Sequence, residues 1–177
     1  DEDTLLYLPW ALQACERGVA RAHLISHHVD GALLLELFSR EGVGSMVTRD
    51  SLQIIRQATI EDIGAILQLI EPLENSGILV RRSRELLEME IGHFMVLEHD
   101  HMIIACAALY PFSDELSCEL ACLAVHPDHR KAGIGRRLID YLEQYARQQG
   151  FKSLFVLTTR TAHWFIERGF YPATLDQ

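Results

Sequence analysis

Residues 125–135 read Val125-His126-Pro127-Asp128-His129-Arg130-Lys131-Ala132-Gly133-Ile134-Gly135. An apolar stretch, 119–125, enters a turn at Pro127, and an amphipathic helical pattern resumes directly after Gly135. Gly133 and Gly135 therefore strip side chains from a helix N-terminus, where the first backbone N–H groups have no partner inside the helix. Such a place binds anions, phosphates above all, because unpaired N–H groups and the positive end of the helix dipole converge on it. Arg130, Lys131, Arg136 and Arg137 cluster around it in a chain whose formal net charge is −9. The pattern points to a phosphate or pyrophosphate cradle. A solvated helix start is the plainer reading of the same charges.

The elements that must carry this loop follow from periodicity and punctuation. Residues 8–18 read as a helix closed by Gly18, 20–26 as a short strand, and 31–38 as a leucine-rich helix. A glycine loop at 40–45 leads into a second short strand, 45–48. That much chain is too small for an independent domain and reads as the end of one. A boundary falls at Arg49-Asp50, and the pattern restarts with a strand at 53–57. Ile60, Ile63, Leu67 and Ile70 repeat at helical spacing behind Thr59 as N-cap, with Asp62 three residues on and Pro72 as the stop. Ser83 caps a helix running to Ile91. Strands at 93–99 and 102–112 flank Asp100-His101, a two-residue hairpin turn, and 118–125 follows a turn at 113–115. The helix after Gly135 shows Leu138, Tyr141, Leu142 and Tyr145 on one side and ends at Gly150. A strand at 153–158, a helix at 161–168 stopped by Gly169, and a last strand beginning at Phe170-Tyr171-Pro172 follow. The expectation is an α/β (α+β) domain over 50–177, a mixed and mostly antiparallel sheet flanked by helices. A short α/β remnant of another domain, 1–49, precedes it.

Composition excludes several classes. The chain is 49% apolar, enough for a core, yet has no run of about eighteen apolar residues, so no membrane span is expected. No leader segment is recognisable, which suggests a cytoplasmic setting. The acidic balance argues against nucleic acid as a partner. Cys15, Cys106, Cys118 and Cys122 lack C-x-x-C spacing and read as reduced thiols. Cys118 and Cys122 alternate onto one strand face as small core residues. His27-His28 and His99-Asp100-His101 lack further ligands at zinc-site spacing, so no metal is expected.

Three phosphate motifs compete for the loop. GxxxxGK[ST] is not present, and a dinucleotide GxGxxG would need one parallel βαβ unit where this chain has three antiparallel strands. The third fits residue by residue. Leu123-Ala124-Val125-His126-Pro127 followed by Arg130-x-x-Gly133-Ile134-Gly135 resembles the acetyl-CoA motif of the GNAT superfamily of N-acetyltransferases, and the element order over 53–172 agrees. The resemblance implies that backbone N–H groups from Lys131, Ala132, Gly133, Ile134, Gly135 and Arg136 hold the CoA pyrophosphate, with Arg130 beside them. It implies that main-chain groups of Leu123 and Val125 line the pantetheine arm, and that an amide near Ala124 polarises the thioester carbonyl. Amine attack on a thioester needs a neutral amine, and therefore a base. Glu119 lies six residues before Val125 and shares its face by two-residue alternation, among apolar neighbours where a carboxylate is costly without a role. It is the expected general base; a surface carboxylate on an edge strand is the alternative. Many members of the superfamily supply an acid from a Tyr on the helix after the fifth strand. Here that helix reads Thr161-Ala162-His163-Trp164-Phe165-Ile166, without Tyr, and the Thr158 hydroxyl is the expected substitute.

A finer resemblance rests on three stretches: 78–85 (Ile78-Leu79-Val80-Arg81-Arg82-Ser83-Arg84-Glu85), 119–125, and 157–165 from Leu157-Thr158-Thr159-Arg160 onward. Together they look like the C-terminal domain of the N-acetylglutamate synthase family. That family makes N-acetyl-L-glutamate from acetyl-CoA and L-glutamate, opening arginine biosynthesis. The resemblance places Glu119 at the base, Thr158 at the acid, and Arg82 at a contact to glutamate, with Cys122 and Leu123 as further substrate contacts. Physical chemistry agrees on Arg82. A dicarboxylate needs cationic forks, and Arg81-Arg82-Ser83-Arg84 stands at a helix start where the dipole disfavours cations. Residues 28–45 are similar to the end of the amino-acid-kinase-like domain that precedes the GNAT domain in this family. Glu36 and the Gly42–Gly44 loop are candidate remnants of its site for L-arginine, the feedback inhibitor. The resemblance also implies a homo-oligomer. A GNAT enzyme for another small amine, and a non-catalytic module that binds acetyl-CoA or arginine, stay open beside the glutamate reading.

Overall fold

The computed structural model describes residues 2–39, 42–49, 53–112, 116–130, 132–158 and 160–173. The chain forms two compact units, Asp1–Leu52 and Gln53–Gln177. In the first, α1 (Glu2–Glu16), β1 (Arg21–Leu24), α2 (Ala32–Phe38) and β2 (Ser45–Thr48) follow one another. The two strands pair antiparallel from Arg21↔Thr48 to Leu24↔Ser45. Ala11 and Cys15 of α1 are buried, and the Cys15 thiol reaches the Val47 carbonyl at 3.3 Å. Helix α1 begins six residues before the expected start and carries Pro9 inside it, so the proline removes one internal hydrogen bond without ending the helix. Strand β1 is shorter than the expected 20–26. Arg40, Glu41 and Asp50, which framed the expected glycine loop and boundary, lie outside the described residues.

The second unit is a five-stranded sheet in the order β3-β4-β5-β6-β7. Its strands are β3 (Gln53–Gln57), β4 (Phe94–His99), β5 (Met102–Phe112), β6 (Ser117–Val125) and β7 (Ser153–Phe155), and only β6–β7 is parallel. Helices α3 (Ile63–Asn75) and α4 (Arg84–Glu90) join β3 to β4; α5 (Ile134–Gln148) joins β6 to β7, and α6 (Ala162–Ile166) comes last. The mixed, mostly antiparallel α/β architecture is the one that the sequence implies. Central strand β5 is buried without interruption from Ile103 to Leu109, as expected for a strand covered on both faces. One core holds Leu97, Ile104, Leu120, Leu138 and Leu142 with Phe165, and the other holds Ile63, Ile66, Ile70, Leu87, Phe94 and Val96.

Local chemistry accounts for most boundaries. The Thr59 N–H donates to Asp62 Oδ2 at 2.8 Å at the start of a single 3-10 turn ahead of α3. The Ser83 hydroxyl accepts the Leu86 N–H at 3.2 Å at the start of α4. Asp100 and His101 take φ of 45° and 64°, the left-handed pair that a two-residue hairpin demands. Four expectations are corrected. Pro72 does not stop α3, which continues to Asn75, because Leu69, Ile70 and Leu73 pack on the core across it. On α5 the buried stripe is Ile134, Leu138, Ile139, Leu142 and Ala146; Tyr141 faces outward and Ile139 takes its place. Strand β7 ends at Phe155 rather than 158. Residues 170–173 form no strand, since no neighbouring strand pairs with them among the described residues. The expected turn at 113–115 lies outside the described residues.

Candidate functional site

The site begins with an irregularity in β6. Its ladder with β5 runs regularly from Phe112↔Ser117 to Ala108↔Ala121 and resumes at Cys106↔Ala124, so Cys122 and Leu123 together oppose Ala107. Cys122 has a φ of 52°. This is a β-bulge, and it exchanges the faces of the strand. Cys118 and Leu120 belong to the core beneath α5, whereas Cys122 and Ala124 belong to the core beneath α3 and α4. Two expectations therefore fall. Cys118 and Cys122 do not share a face, and neither do Glu119 and Val125. The one inserted residue makes two-residue alternation fail across it. Glu119 instead stands opposite Tyr110, which packs against the α3–α4 core.

Strand β7 pairs with β6 only from Ser117↔Ser153 to Glu119↔Phe155. Beyond Glu119 the two part, and no strand pairs with Leu120–Val125 on that side among the described residues. A cavity of about 410 Å³ fills the gap. Its walls include Leu120–Leu123 and Val125, Leu157 and Thr158, and Gly133, Gly135 and Arg136 at the mouth of α5. One wall thus offers unpaired strand backbone and the end wall offers helix N–H groups. An extended chain carrying an amide and a terminal phosphate fits that combination.

The helix mouth is shaped by its glycines. Gly133 sits at φ 72° as the N-cap of α5, a conformation that costs any side-chain-bearing residue. A methyl on Gly135 would stand 3.5 Å from Val125 Cγ2 and 3.6 Å from Trp164 Cζ2, narrowing the passage there. The first turn of α5 has no acidic residue. Arg130 turns back so that its Nε donates to the Val125 carbonyl at 3.2 Å, and Arg136 stands 3.9 Å from Asp140. Arg137 is engaged with Gln53. Ala132 and Ile134 lie in the same turn, and Lys131 lies outside the described residues.

On the opposite face of β6, Arg82 is half-buried. Its backbone N–H donates to Glu74 Oε1 at 2.9 Å and its guanidinium to the Val80 carbonyl at 3.1 Å. Burial works against its charge, and Cys122, Tyr110 and Glu90 more than offset that. Burial lifts the Cys122 thiol to about 11, with Arg82 pulling the other way, so at neutral pH it is a thiol. Glu119 lies within electrostatic reach of Cys122 as well. The fold thus gathers Arg82, Cys122 and Glu119 on one side of the bulge and the glycine mouth on the other. Arg81, by contrast, is spent on Asn75 at 3.0 Å and Arg84 on Glu88 at 3.0 Å.

Thr158 lies in the cavity wall past the end of β7. Its hydroxyl oxygen accepts the Thr161 N–H at 3.1 Å and lies 2.7 Å from the Thr161 hydroxyl. Several residues escaped the sequence reading: Thr161, Trp164 and Arg168, which line the cavity from the α6 region, and Tyr110 and Glu90, which lie near Arg82 and not in the cavity wall. Trp164 had a signal, an aromatic beside the missing Tyr; the others are brought in only by folding. Separately, in the first unit, Glu36 Oε2 accepts the Val43 and Gly44 N–H groups at 2.8 Å each, and Oε1 meets His23 Nδ1 at 2.6 Å. The His23 contact and these amides hold the Glu36 carboxyl at about 2. Gly42 is left-handed at φ 62°, and a methyl there would stand 2.5 Å from Glu36 Oε2, so any side chain would be strained and would displace the carboxylate. Among the described residues no group of three or more His, Cys, Asp or Glu could hold a metal ion, and no helix is long and apolar enough to cross a membrane.

Known proteins were compared with this arrangement. The model of the acetyltransferase (GNAT) family matches residues 60–171. The amino-acid acetyltransferase of Yersinia pseudotuberculosis serotype O:1b (strain IP 31758) is 57% identical over 173 residues, 98% of this chain and 39% of its own length. N-acetylglutamate synthase from Neisseria gonorrhoeae, in a crystal structure with coenzyme A and L-arginine, aligns with a TM-score of 0.86 at 41% identity, over 100% of this chain and 41% of that one. Rv2747 from Mycobacterium tuberculosis, in complex with CoA and NLQ, aligns with a TM-score of 0.61 at 30% identity, over 70% of this chain and 77% of that one. The chain spans about two fifths of the length of the curated relatives it matches.

Proposed function

This chain belongs to the acetyltransferase (GNAT) family, and we propose that it carries the transferase site of an amino-acid N-acetyltransferase. Acetyl passes from acetyl-CoA to the α-amino group of L-glutamate, giving N-acetyl-L-glutamate and CoA, the opening step of arginine biosynthesis. What supports this most is the parting of β6 from β7 at Glu119, which opens a walled passage ending on the glycine mouth of α5. On this reading the N–H groups of that mouth hold the pyrophosphate, and the edge of Leu123–Val125 that β7 leaves uncovered lines the pantetheine arm, with Arg130 giving up the Val125 carbonyl. An amide near Ala124 steadies the oxygen on which charge develops. Coenzyme A in the Neisseria gonorrhoeae structure is consistent with the donor.

Glu119 removes a proton from the substrate ammonium, directly or through one water. The freed amine attacks the thioester carbon, the C–N bond forms, and the C–S bond breaks. Thr158 donates a hydrogen bond to the departing sulfur, and the second proton lost by the nitrogen as the amide forms ends on that sulfur, giving the CoA thiol. Arg82 takes the substrate's side-chain carboxylate as a charge-assisted pair, with Cys122 and Leu123 forming the adjoining wall. The acceptor is supported by the relative in a Neisseria gonorrhoeae structure with coenzyme A and N-acetyl-glutamate, at 42% identity. In a protein of the relatives' full length, the loop that Glu36 organises would belong to an L-arginine site. Thiol release from acetyl-CoA, measured with L-glutamate, polyamines and aminoglycosides in turn, tests the reading. L-glutamate should accelerate release most. Faster release with a polyamine, or none that depends on an amine, would refute it.

A further inference from the structure

One half-buried pair takes no part in the chemistry above. The Tyr110 hydroxyl donates to Glu90 Oε2 at 2.6 Å. Glu90 is the last residue of α4, and Tyr110 lies on β5 directly opposite Glu119. The His93 ring, 5.1 Å away between centroids, fixes the Tyr110 ring from one side. Both Tyr110 and Glu90 interact with the Arg82 guanidinium. A carboxylate therefore lies within electrostatic reach of the cation assigned to the substrate's carboxylate. The two would compete, because each offers the same pair of acceptor oxygens to one guanidinium fork. In the structure Glu90 is instead taken up by a phenol, and the Arg82 side chain donates to the Val80 carbonyl and also meets the Tyr110 hydroxyl.

We propose that Tyr110 is a positioning residue for acceptor specificity: by occupying the Glu90 carboxylate, it keeps Glu90 off the Arg82 fork and leaves the remaining donors of that fork to an acidic amino acid. The inference rests on the L-glutamate reading above. Glu90 still supplies a negative field that offsets the cost of half-burying Arg82. The phenol hydrogen bond stops that field from becoming an ion pair which substrate would have to break. Removing the hydroxyl lets Glu90 turn to Arg82. Neutralising Glu90 as well removes the competitor.

Steady-state kinetics of Tyr110→Phe, Glu90→Gln and the double variant test this, with Arg82→Ala run alongside and thermal melts to check folding. Tyr110→Phe is expected to raise KM for L-glutamate about tenfold, the scale of one charge-assisted hydrogen bond. The kcat and the KM for acetyl-CoA should stay within about twofold of the parent. Adding Glu90→Gln should bring KM back, a rescue that lost packing would not give. Glu90→Gln alone, with Tyr110 in place, should leave KM unchanged or lower. A double variant as poor as Tyr110→Phe, or a raised KM in Glu90→Gln, overturns the proposal. If Arg82→Ala raises KM and Tyr110→Phe does not, the Tyr110 role alone fails. An unchanged KM in Arg82→Ala refutes the L-glutamate clamp itself.

Discussion

Glu119 and Cys122 lie three residues apart on β6, and their side chains differ in what they can contribute. A carboxylate facing Tyr110 and within reach of the Cys122–Arg82 region can accept a proton. Glu119→Gln keeps the shape and loses the basicity. It should lower kcat by ~10² to 10⁴ while leaving the KM for acetyl-CoA unchanged, as read by thiol release. A loss under tenfold would assign the base elsewhere. Cys122, held near 11 by burial, is a poor nucleophile at neutral pH. On the proposed reading transfer is direct, without an acetyl-cysteine. Cys122→Ala should retain kcat within a few-fold, and quenched turnover mixtures should show no acetylated protein by mass spectrometry. The residue types at 82, 119 and 122 were legible in the sequence. Which way Glu119 and Cys122 point was not, because a bulge is invisible to strand periodicity.

At the scale of elements, two devices hold the site. The first is the start of α5. Gly133 is left-handed, and a Cβ there would meet nothing within 4 Å, so the penalty for a side chain is purely conformational. Gly133→Ala should destabilise the fold by ~1 kcal/mol, read as a lower denaturation midpoint, and should weaken acetyl-CoA binding as the helix mouth shifts. The second is the clasp joining β3, β4 and the turn before α3. Arg56 donates to Asp62 at 2.7 and 2.9 Å and to Glu98 at 2.9 Å. Arg56, with the Thr59 contacts, holds the buried Asp62 carboxyl at about 2. A depressed carboxyl stabilises the fold above its unfolded value near 4, and that contribution is lost as pH falls from about 4 towards about 2. Asp62→Asn should therefore cost roughly 2 kcal/mol at pH 7 and almost nothing at pH 2, measured by chemical denaturation at both values. The helices and strands themselves were mostly readable. Pro72 misled because core packing on both sides of a proline outweighs one missing hydrogen bond.

At the scale of the whole molecule, the donor mouth, the bulge and Arg82 all belong to the second unit, whose two cores draw only on residues from Ile55 onward. A fragment of residues 53–177 should thus bind acetyl-CoA by itself. Saturation at about a hundred times Kd should add ~2.7 kcal/mol of stability, visible as a rise in Tm. An unshifted melt would mean that the first unit, or chain beyond these residues, completes the donor site.

The sequence alone determined the chemistry available: a glycine-bared helix mouth for a phosphate, a carboxylate in an apolar strand, and an arginine cluster at a helix start. These are local signals, written in residue type and spacing. The tertiary structure decided what those groups face. The bulge at Cys122 put Glu119 and Val125 on opposite faces of β6, and the parting of β6 from β7 opened the cavity. Tyr110 and Glu90 came to Arg82 from twenty residues apart. Register between strands and the packing of helices on them are long-range outcomes, set by which whole set of contacts is lowest in free energy, and no window of sequence encodes them.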